Sequence, residues 1–374
     1  MTDKLRRKMQ ELLSQANIKI NGNRSWDIQI HNENFYRRVL SHGALGLGES
    51  YMDGWWDVKK LDEFFNHILK AELDKKVKTF SFLLQTIKAI LMNPQRKSRA
   101  FKIGEHHYDI GNELYKRMLD KRLTYTCGYW KNSNDLDSAQ EAKLDLVCRK
   151  IGLKPGMTVL DIGCGWGSFA KYAAEKYKAK VTGITVSKAQ VELGKKLCRD
   201  LPVKFQLIDY RDVKGKYDRV VSLGMFEHVG YKNYRRYIEI VHRLLKDDGI
   251  FLLHTIGRNV SVKSNNQWTE KYIFPNSMLP SIAQIGKSIE GLFVMEDWHN
   301  FGADYDKTLM AWHDNFKKGW KKLRAKHKKY DERFRRMWNY YLLSSAGSFR
   351  ARDIQLWQIV LAKKGVPKGY DSVR

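Results

Sequence analysis

Residues Val159-Leu-Asp-Ile-Gly-Cys-Gly-Trp-Gly167 carry an apolar strand into a glycine triplet, and a helical stretch, Ser168–Tyr177, follows. Gly163 and Gly165 let the backbone approach a ligand closely and adopt positive φ. The helix start offers free N–H groups to a carboxylate or phosphate. Asp161 raises the specificity, because it can accept from a ligand ammonium. Tight strand-to-helix turns also use glycine, so the triplet alone names no cofactor. A dinucleotide site would place an acid roughly 20 residues on, at the end of the second strand. That end reads Gly183-Ile-Thr-Val-Ser-Lys-Ala-Gln190 and holds none, which disfavours NAD.

Outward from this loop, short apolar runs alternate with amphipathic helices. The runs are Thr158–Ile162, Val181–Ile184, Val203–Ile208, Val220–Leu223 and Ile250–Leu253; the helical segments are Ser168–Tyr177, Lys188–Asp200 and Asn233–Lys246. Two later runs, Phe293–Trp298 and Ile354–Leu361, flank a long helical region and complete the sheet's edge. The pattern predicts an α/β fold with a doubly wound, mostly parallel, Rossmann-like sheet of seven strands. Ligands of such sheets bind at the carboxyl ends of the strands.

Upstream, residues 1–92 read as a small helical N-terminal domain, with apolar residues at helical spacing in Leu61–Phe65–Ile68–Leu69 and in Phe80–Leu83–Leu84–Ile87–Ile90–Leu91. A glycine-rich turn is expected from Gly43 to Gly54, just before Trp55 and Trp56. The basic, Pro-containing segment opening at Asn93 marks a linker over 93–104, and a catalytic domain follows over 105–374. The N-terminal domain suits lipid binding or dimerisation.

The 68 Lys and Arg against 41 Asp and Glu leave a formal charge of +27, a field that favours polyanions, either nucleic acid or an anionic lipid surface. The N-terminus lacks the apolar core of a signal peptide. The longest apolar stretch, Phe80–Met92, has 13 residues interrupted by Gln85 and Lys88, too short to span a bilayer. Cys127, Cys148, Cys164 and Cys198 show no metal-ligand or disulfide spacing, and the pair His106-His107 has no third ligand, so no metal is expected. The expected location is the cytoplasm, with visits to the inner face of the membrane.

Here a family resemblance emerges. VLDIGCGWG resembles the S-adenosylmethionine loop of class I methyltransferases, and GITVSKAQ resembles the second-strand segment of the cyclopropane fatty acid synthase family. The similarity continues in family order through LGLGESYMDGWW, HYDIGNELY, LTYTCGYW, GMFEHVG, FLLHTIG, FGADYD and FRARDIQLWQ. The helical N-terminal domain is typical of the bacterial phospholipid enzymes and absent from the mycolic-acid branch. The resemblance implies transfer of a methylene unit from S-adenosylmethionine to double bonds of unsaturated phospholipid acyl chains, with bicarbonate as general base. It places Gly163, Gly165, Thr185 and Gln190 against the cofactor, together with Asp161 and Gly167 of the same loop. Tyr125 and Thr126 would close over it, and Asp209, Tyr210 and Arg211 would flank the adenine. It assigns the bicarbonate to Cys127, Glu227, His254, the backbone of Ile256, and Tyr305, with His228 behind them. Thr185 and Ser187 read equally well as helix N-caps.

The chemistry explains the residue types. An unactivated alkene is a poor nucleophile, so the sulfonium methyl must be held in line with it. The carbocation must then lose a proton before water captures it, which calls for a base, a dry pocket and electron-rich walls. A backbone N–H, a Tyr hydroxyl, an imidazole N–H and a thiol can donate to an anion, while Glu227 can accept from a protonated bicarbonate or orient His254. Each residue also has a plain structural reading: Cys127 as a small hydrophobe, His254 as a satisfied strand-end group, Glu227 as a helix cap. The chain departs from some family members at Ser345, where they carry a cysteine before Ala-Gly, so a nucleophilic cysteine there is not part of its chemistry.

Between Lys317 and Arg336 stand 11 Lys or Arg and two acids, interspersed with Phe316, Trp320, Leu323, Tyr330 and Phe334. Such a mixture suits anionic headgroups, or is a solvated helix whose aromatics pack inward. An amine N-methyltransferase would need an amine pocket instead of a bicarbonate site. Nucleic-acid amino-methyltransferases usually carry Asn/Asp-Pro-Pro-aromatic where this chain has Gly224-Met-Phe-Glu-His228, so no nucleic-acid substrate is expected.

Overall fold

The computed structural model of the chain describes residues 2–76 and 111–374. The apolar helix expected over Phe80–Met92, the linker and the His106-His107 pair lie outside the described residues. The chain forms two compact units. One combines the described part of Met1–Met92 with Lys263–Pro275 and Tyr305–Ile354; the other combines the described part of Asn93–Val262 with Asn276–Asp304 and Gln355–Arg374.

The second unit holds the expected sheet. Its strands are β1 (Thr158–Ile162), β2 (Lys180–Thr185), β3 (Val203–Leu207), β4 (Tyr217–Leu223), β5 (Leu245–Arg258), β6 (Val294–Asn300) and β7 (Ile354–Ala362). They lie in the order β3-β2-β1-β4-β5-β7-β6. The pairs β1–β2, β1–β4, β2–β3 and β4–β5 are parallel, whereas β6 and β7 are antiparallel. Both faces of the sheet are covered, which is why the strands read as near-continuous apolar runs. Leu160, Val220, Phe251 and Ile359 pack on one side, with the helix Tyr234–Leu244 and Ile285 of the helix Ile282–Ile289. Val159, Val221, Leu252 and Val360 pack on the other, with the helices Leu136–Lys150 and Ser168–Tyr177. The helix expected to reach Lys246 stops at Leu244, because Leu245 is already extended and pairs with Tyr217. Strand order reverses at β1, so the crevice for a ligand opens between the loops that follow β1 and β4.

The first unit is mainly helical, with a two-residue antiparallel pairing of Gln29–Ile30 with Trp56–Asp57. Its core centres on fully buried Trp56, ringed by Phe35, Tyr51 and Phe64. The glycine-rich stretch from Gly43 is not the continuous turn expected: two helical segments within Asn34–Met52 meet at a break at Gly43 (φ 54°, ψ −130°), and a turn follows only at Asp53–Gly54. The glycines there serve close packing. A Cβ on Gly46 would come 2.4 Å from the Arg38 carbonyl oxygen, and one on Gly48 would come 2.3 Å from the Trp268 indole. Gly48→Ala should therefore destabilise the protein by about 2 kcal/mol, because overpacking outweighs the gain of up to ~1 kcal/mol in helix propensity. A thermal melt with an unchanged or raised midpoint would refute this packing role.

Every Lys and Arg from 317 to 329 is exposed, while Phe316, Leu323 and Tyr330 are buried. Phe316 and Tyr330 thus serve the core, Trp320 and Phe334 are half-buried, and the cations through Lys329 face water. Arg336 points inward instead: it donates to the Trp56 carbonyl and Asp57, and lies over the Tyr51 ring.

Candidate active site

At the end of β1 the loop adopts backbone conformations that favour glycine: Gly163, Gly165 and Gly167 have φ of 80°, 56° and 88°. Cβ atoms on Gly163 and Gly167 would strike Met225 and Phe205, but a Cβ on Gly165 would meet nothing within 4 Å. Gly165 therefore opens a cradle in front of the helix N-terminus. Trp166, in the same loop, packs against Tyr115 and donates to Asn112 at 3.2 Å; Tyr125 packs edge-on against the same Tyr115.

After β2, Ser187 caps the helix Lys188–Leu197, while Thr185 donates to the Gln190 side chain at 2.7 Å. The cap is thus Ser187's task. Thr185 fixes Gln190, whose buried Nε2 has no hydrogen-bond partner among the described residues. After β3, Asp209 is buried and accepts from both the backbone and the side chain of Arg211, which in turn lies over Tyr210. Asp161 is buried rather than open to solvent. Burial raises its carboxyl to about 7 against the pull of nearby Lys143.

Of the residues expected at the base site, Cys127, Glu227, His254 and Ile256 come from three pieces of the same unit. His254 pairs in register with Leu223 at the end of β4, and Glu227 follows in a single 3-10 turn. Glu227 Oε1 accepts from the Ile256 N–H at 2.7 Å, so the carboxyl and the imidazole share one edge of the sheet. Glu227 is 7% and His254 1% exposed. Burial raises Glu227 to about 7, with the Ile256 N–H pulling the other way. Burial, reinforced by the charges of Lys143 and Lys150, holds His254 well below its ordinary value, so it is neutral at neutral pH. Glu227 Oε2 and His254 Nε2 have no hydrogen-bond partners among the described residues. Burial likewise lowers neighbouring His228 to about 4.

The third piece is the segment Thr124–Cys127. Cys127 is fully buried, its thiol 3.1 Å from the Gly128 carbonyl. Thr126 lies against Gly224, the turn that leads to Glu227; a Cβ there would come 2.7 Å from Thr126 Cγ2. The helix Leu136–Lys150 grips the segment: Gln140 donates to the Thr126 carbonyl at 2.6 Å and Lys143 to its hydroxyl at 2.7 Å. Lys143 is buried, and burial lowers it to about 8 although Asp120, Cys127 and Asp161 favour its charge. Tyr305 belongs to the other unit, where it stacks on Phe349 at 4.5 Å.

Gln140, Lys143 and Gln358, which β7 presents to His254, were not singled out from the sequence. A signal was present: Leu136, Gln140, Lys143, Val147 and Lys150 follow the spacing of one inward helix face, so polar residues stand in phase with core positions. Among the described residues no cluster suited to a metal ion occurs, no disulfide is present, and no helix is long and apolar enough to cross a membrane.

A family model described as mycolic acid cyclopropane synthetase matches residues 95–359. The chain belongs to the mycolic acid cyclopropane synthetase family. As a member it is an S-adenosylmethionine-dependent enzyme with the class I methyltransferase fold. It is 52% identical over 365 residues to the cyclopropane-fatty-acyl-phospholipid synthase of Escherichia coli K12, covering 97% of this chain and 94% of that protein. It is 31% identical over 353 residues to the tuberculostearic acid methyltransferase UfaA1 of Mycobacterium tuberculosis, covering 88% and 82%. Among solved structures, the cyclopropane synthase MmaA2 of M. tuberculosis superposes with a TM-score of 0.65 at 30% identity, over 70% of this chain and 98% of that one. The mycolic acid cyclopropane synthase CmaA1, complexed with SAH and CTAB, gives 0.64 at 31% identity, over 70% and 97%.

Proposed function

We propose that this cyclopropane synthetase family member adds a methylene unit from S-adenosylmethionine across the cis double bond of unsaturated phospholipid acyl chains, leaving a cyclopropane ring and S-adenosylhomocysteine. One observation carries the reading of the site: a buried acceptor, Glu227 Oε2, whose fellow oxygen takes the Ile256 N–H, and a buried ring nitrogen, His254 Nε2, two residues before Ile256 on β5, both lack partners among the described residues. Buried polar atoms of this kind are rarely left unpaired, so a small polar group that meets both is a fitting partner. The charges of Lys143 and Lys150 reach His254, which suits an anion. Bicarbonate fits: Glu227 would accept from its hydroxyl, and His254, with Cys127, would donate to its oxygens. Bound there, it supplies the base that takes the proton lost on ring closure. Bound S-adenosylmethionine supplies the electrophilic methyl, and the Gly165 cradle and Gln190 Nε2 are the surfaces that would hold it. Phe301, whose ring centroid lies 5.9 Å from that of His254, and Tyr129 beside it keep the site dry.

The exposed cations from Lys317 to Lys329 support docking to the anionic inner face of the membrane, each contributing about 1 kcal/mol close to the surface. Residues 1–92 would assist in lipid handling or in dimerisation.

Vesicles of anionic phospholipid with unsaturated chains, mixed with enzyme and labelled S-adenosylmethionine, should yield cyclopropanated lipid and S-adenosylhomocysteine in equal amounts. A methyl-branched product, or none, counts against ring formation. Salt near ~0.5 M should release the enzyme from the vesicles, since exposed charges are screened within a few ångströms; salt-insensitive binding rules out the basic stretch as the docking surface.

A further inference from the structure

Strand β7 reads Ile354-Gln-Leu-Trp-Gln-Ile-Val-Leu-Ala362, and from Leu356 to Leu361 every side chain is fully buried. Gln358 is the polar member of that run and stands inside the sheet, because β7 lies between β5 and β6. A primary amide in such a place needs partners for its two donors and its carbonyl. Its Nε2 lies 3.3 Å from His254 Nδ1, and its Oε1 has no hydrogen-bond partner among the described residues. No hydrogen-bond economy within the strand explains the residue; its neighbour on β5 does.

An amide nitrogen can only donate. Facing His254 Nδ1, it requires that nitrogen to be the bare one, and the proton of the neutral ring then sits on Nε2. Nε2 is the ring atom left without a partner among the described residues, on the strand whose Ile256 amide donates to Glu227. We infer that Gln358 is a positioning residue that fixes the tautomer of His254, so that Nε2–H is presented as a donor to the anion of the base site. The role of the donor rests on the bicarbonate reading above; the tautomer itself does not. Donors aimed at an anion in a dry site act strongly because they are oriented beforehand, and a histidine held in the wrong tautomer is inert in that role.

The tautomer is directly observable. Histidine-selective 15N labelling of the full chain, with the His254 signal assigned by its loss in His254→Asn, should show His254 as the Nε2–H form without any ligand. In Gln358→Glu the carboxylate accepts from Nδ1–H, so the proton should move and leave Nε2 bare. Turnover should then fall on the order of 10²-fold with the KM for S-adenosylmethionine changed less than about twofold. Gln358→Met, which keeps the volume and removes the amide, should give a mixture of tautomers and an intermediate rate. Near-UV circular dichroism of both variants checks that the core is kept. An Nδ1–H wild type, or a tautomer switch in Gln358→Glu without loss of turnover, overturns the inference. If the switch and the loss occur but wild-type turnover is indifferent to added or removed bicarbonate, the positioning role stands and the identity of the anion fails.

Discussion

Glu227→Gln should reduce turnover by about 10²- to 10³-fold while leaving S-adenosylmethionine affinity within about twofold of wild type. The substitution keeps the shape of the side chain and the acceptor for the Ile256 N–H, a bond of 2.7 Å. It replaces the second oxygen, an acceptor with no partner among the described residues, by a donor, which would meet the hydroxyl of the proposed bicarbonate with the wrong polarity. Folding should not suffer. Burial raises the Glu227 carboxyl to about 7, so its contribution to stability is complete below its unfolded value of 4.5 and is lost as pH rises to about 7. Glutamine lacks this loss, and the variant should gain stability relative to wild type across that interval. Isothermal titration with the cofactor and denaturation at several pH values measure both effects. A parallel collapse of cofactor binding and turnover would make Glu227 a cofactor ligand and remove it from the base site.

Arg350→Met should cost about 3 kcal/mol of stability, the second large effect. Arg350 closes the helix Glu332–Arg350 and forks onto Asp306 with bonds of 2.9 and 2.8 Å, while its third nitrogen reaches Asp62 and Glu63. Asp306 and Asp62 hold its guanidinium well above the usual arginine range. The side chain is about one quarter exposed, so part of this attraction is screened. Removing the cation nevertheless leaves three acids facing one another in a largely buried corner, and breaking buried pairs costs about 3–5 kcal/mol. Arg350→Lys should recover part of the loss, because charge survives without the fork. A denaturation midpoint for Arg350→Met indistinguishable from wild type would show that the cluster is satisfied by solvent.

The sheet was legible because buried strands advertise themselves as short apolar runs between amphipathic helices. Boundaries slipped most where a strand began directly from a helix, as at Leu245, which no turn residue announces; smaller slips fell at Tyr217, where β4 starts before its apolar run, and at Leu197, where the helix stops short of Asp200. The glycine-rich stretch was misread for a physical reason: glycine serves turns and close approach alike, and Trp268, which requires the absence of a side chain at Gly48, lies far along the chain. The loop after β1, and the places of Glu227 and His254 at the carboxyl end of β4 and within β5, were legible because the apolar runs locate the strands. Lys143, Gln140 and Gln358 escaped because their meaning depends on partners from other elements: Thr126 for the first two and His254 for the third.

The order of strands has a consequence for how the molecule is assembled. β7 separates β5 from β6, yet it is synthesised after both. A nascent chain that has emerged only as far as β6 therefore has an edge strand with no neighbour to pair with, and the helices of the other unit are equally waiting for the helix Glu332–Arg350. Closing such long loops late slows folding and leaves strand edges open meanwhile. A chain shortened before residue 354 would lose an interior strand rather than a tail, and the imidazole that this strand steers would lose its guide at the same stroke.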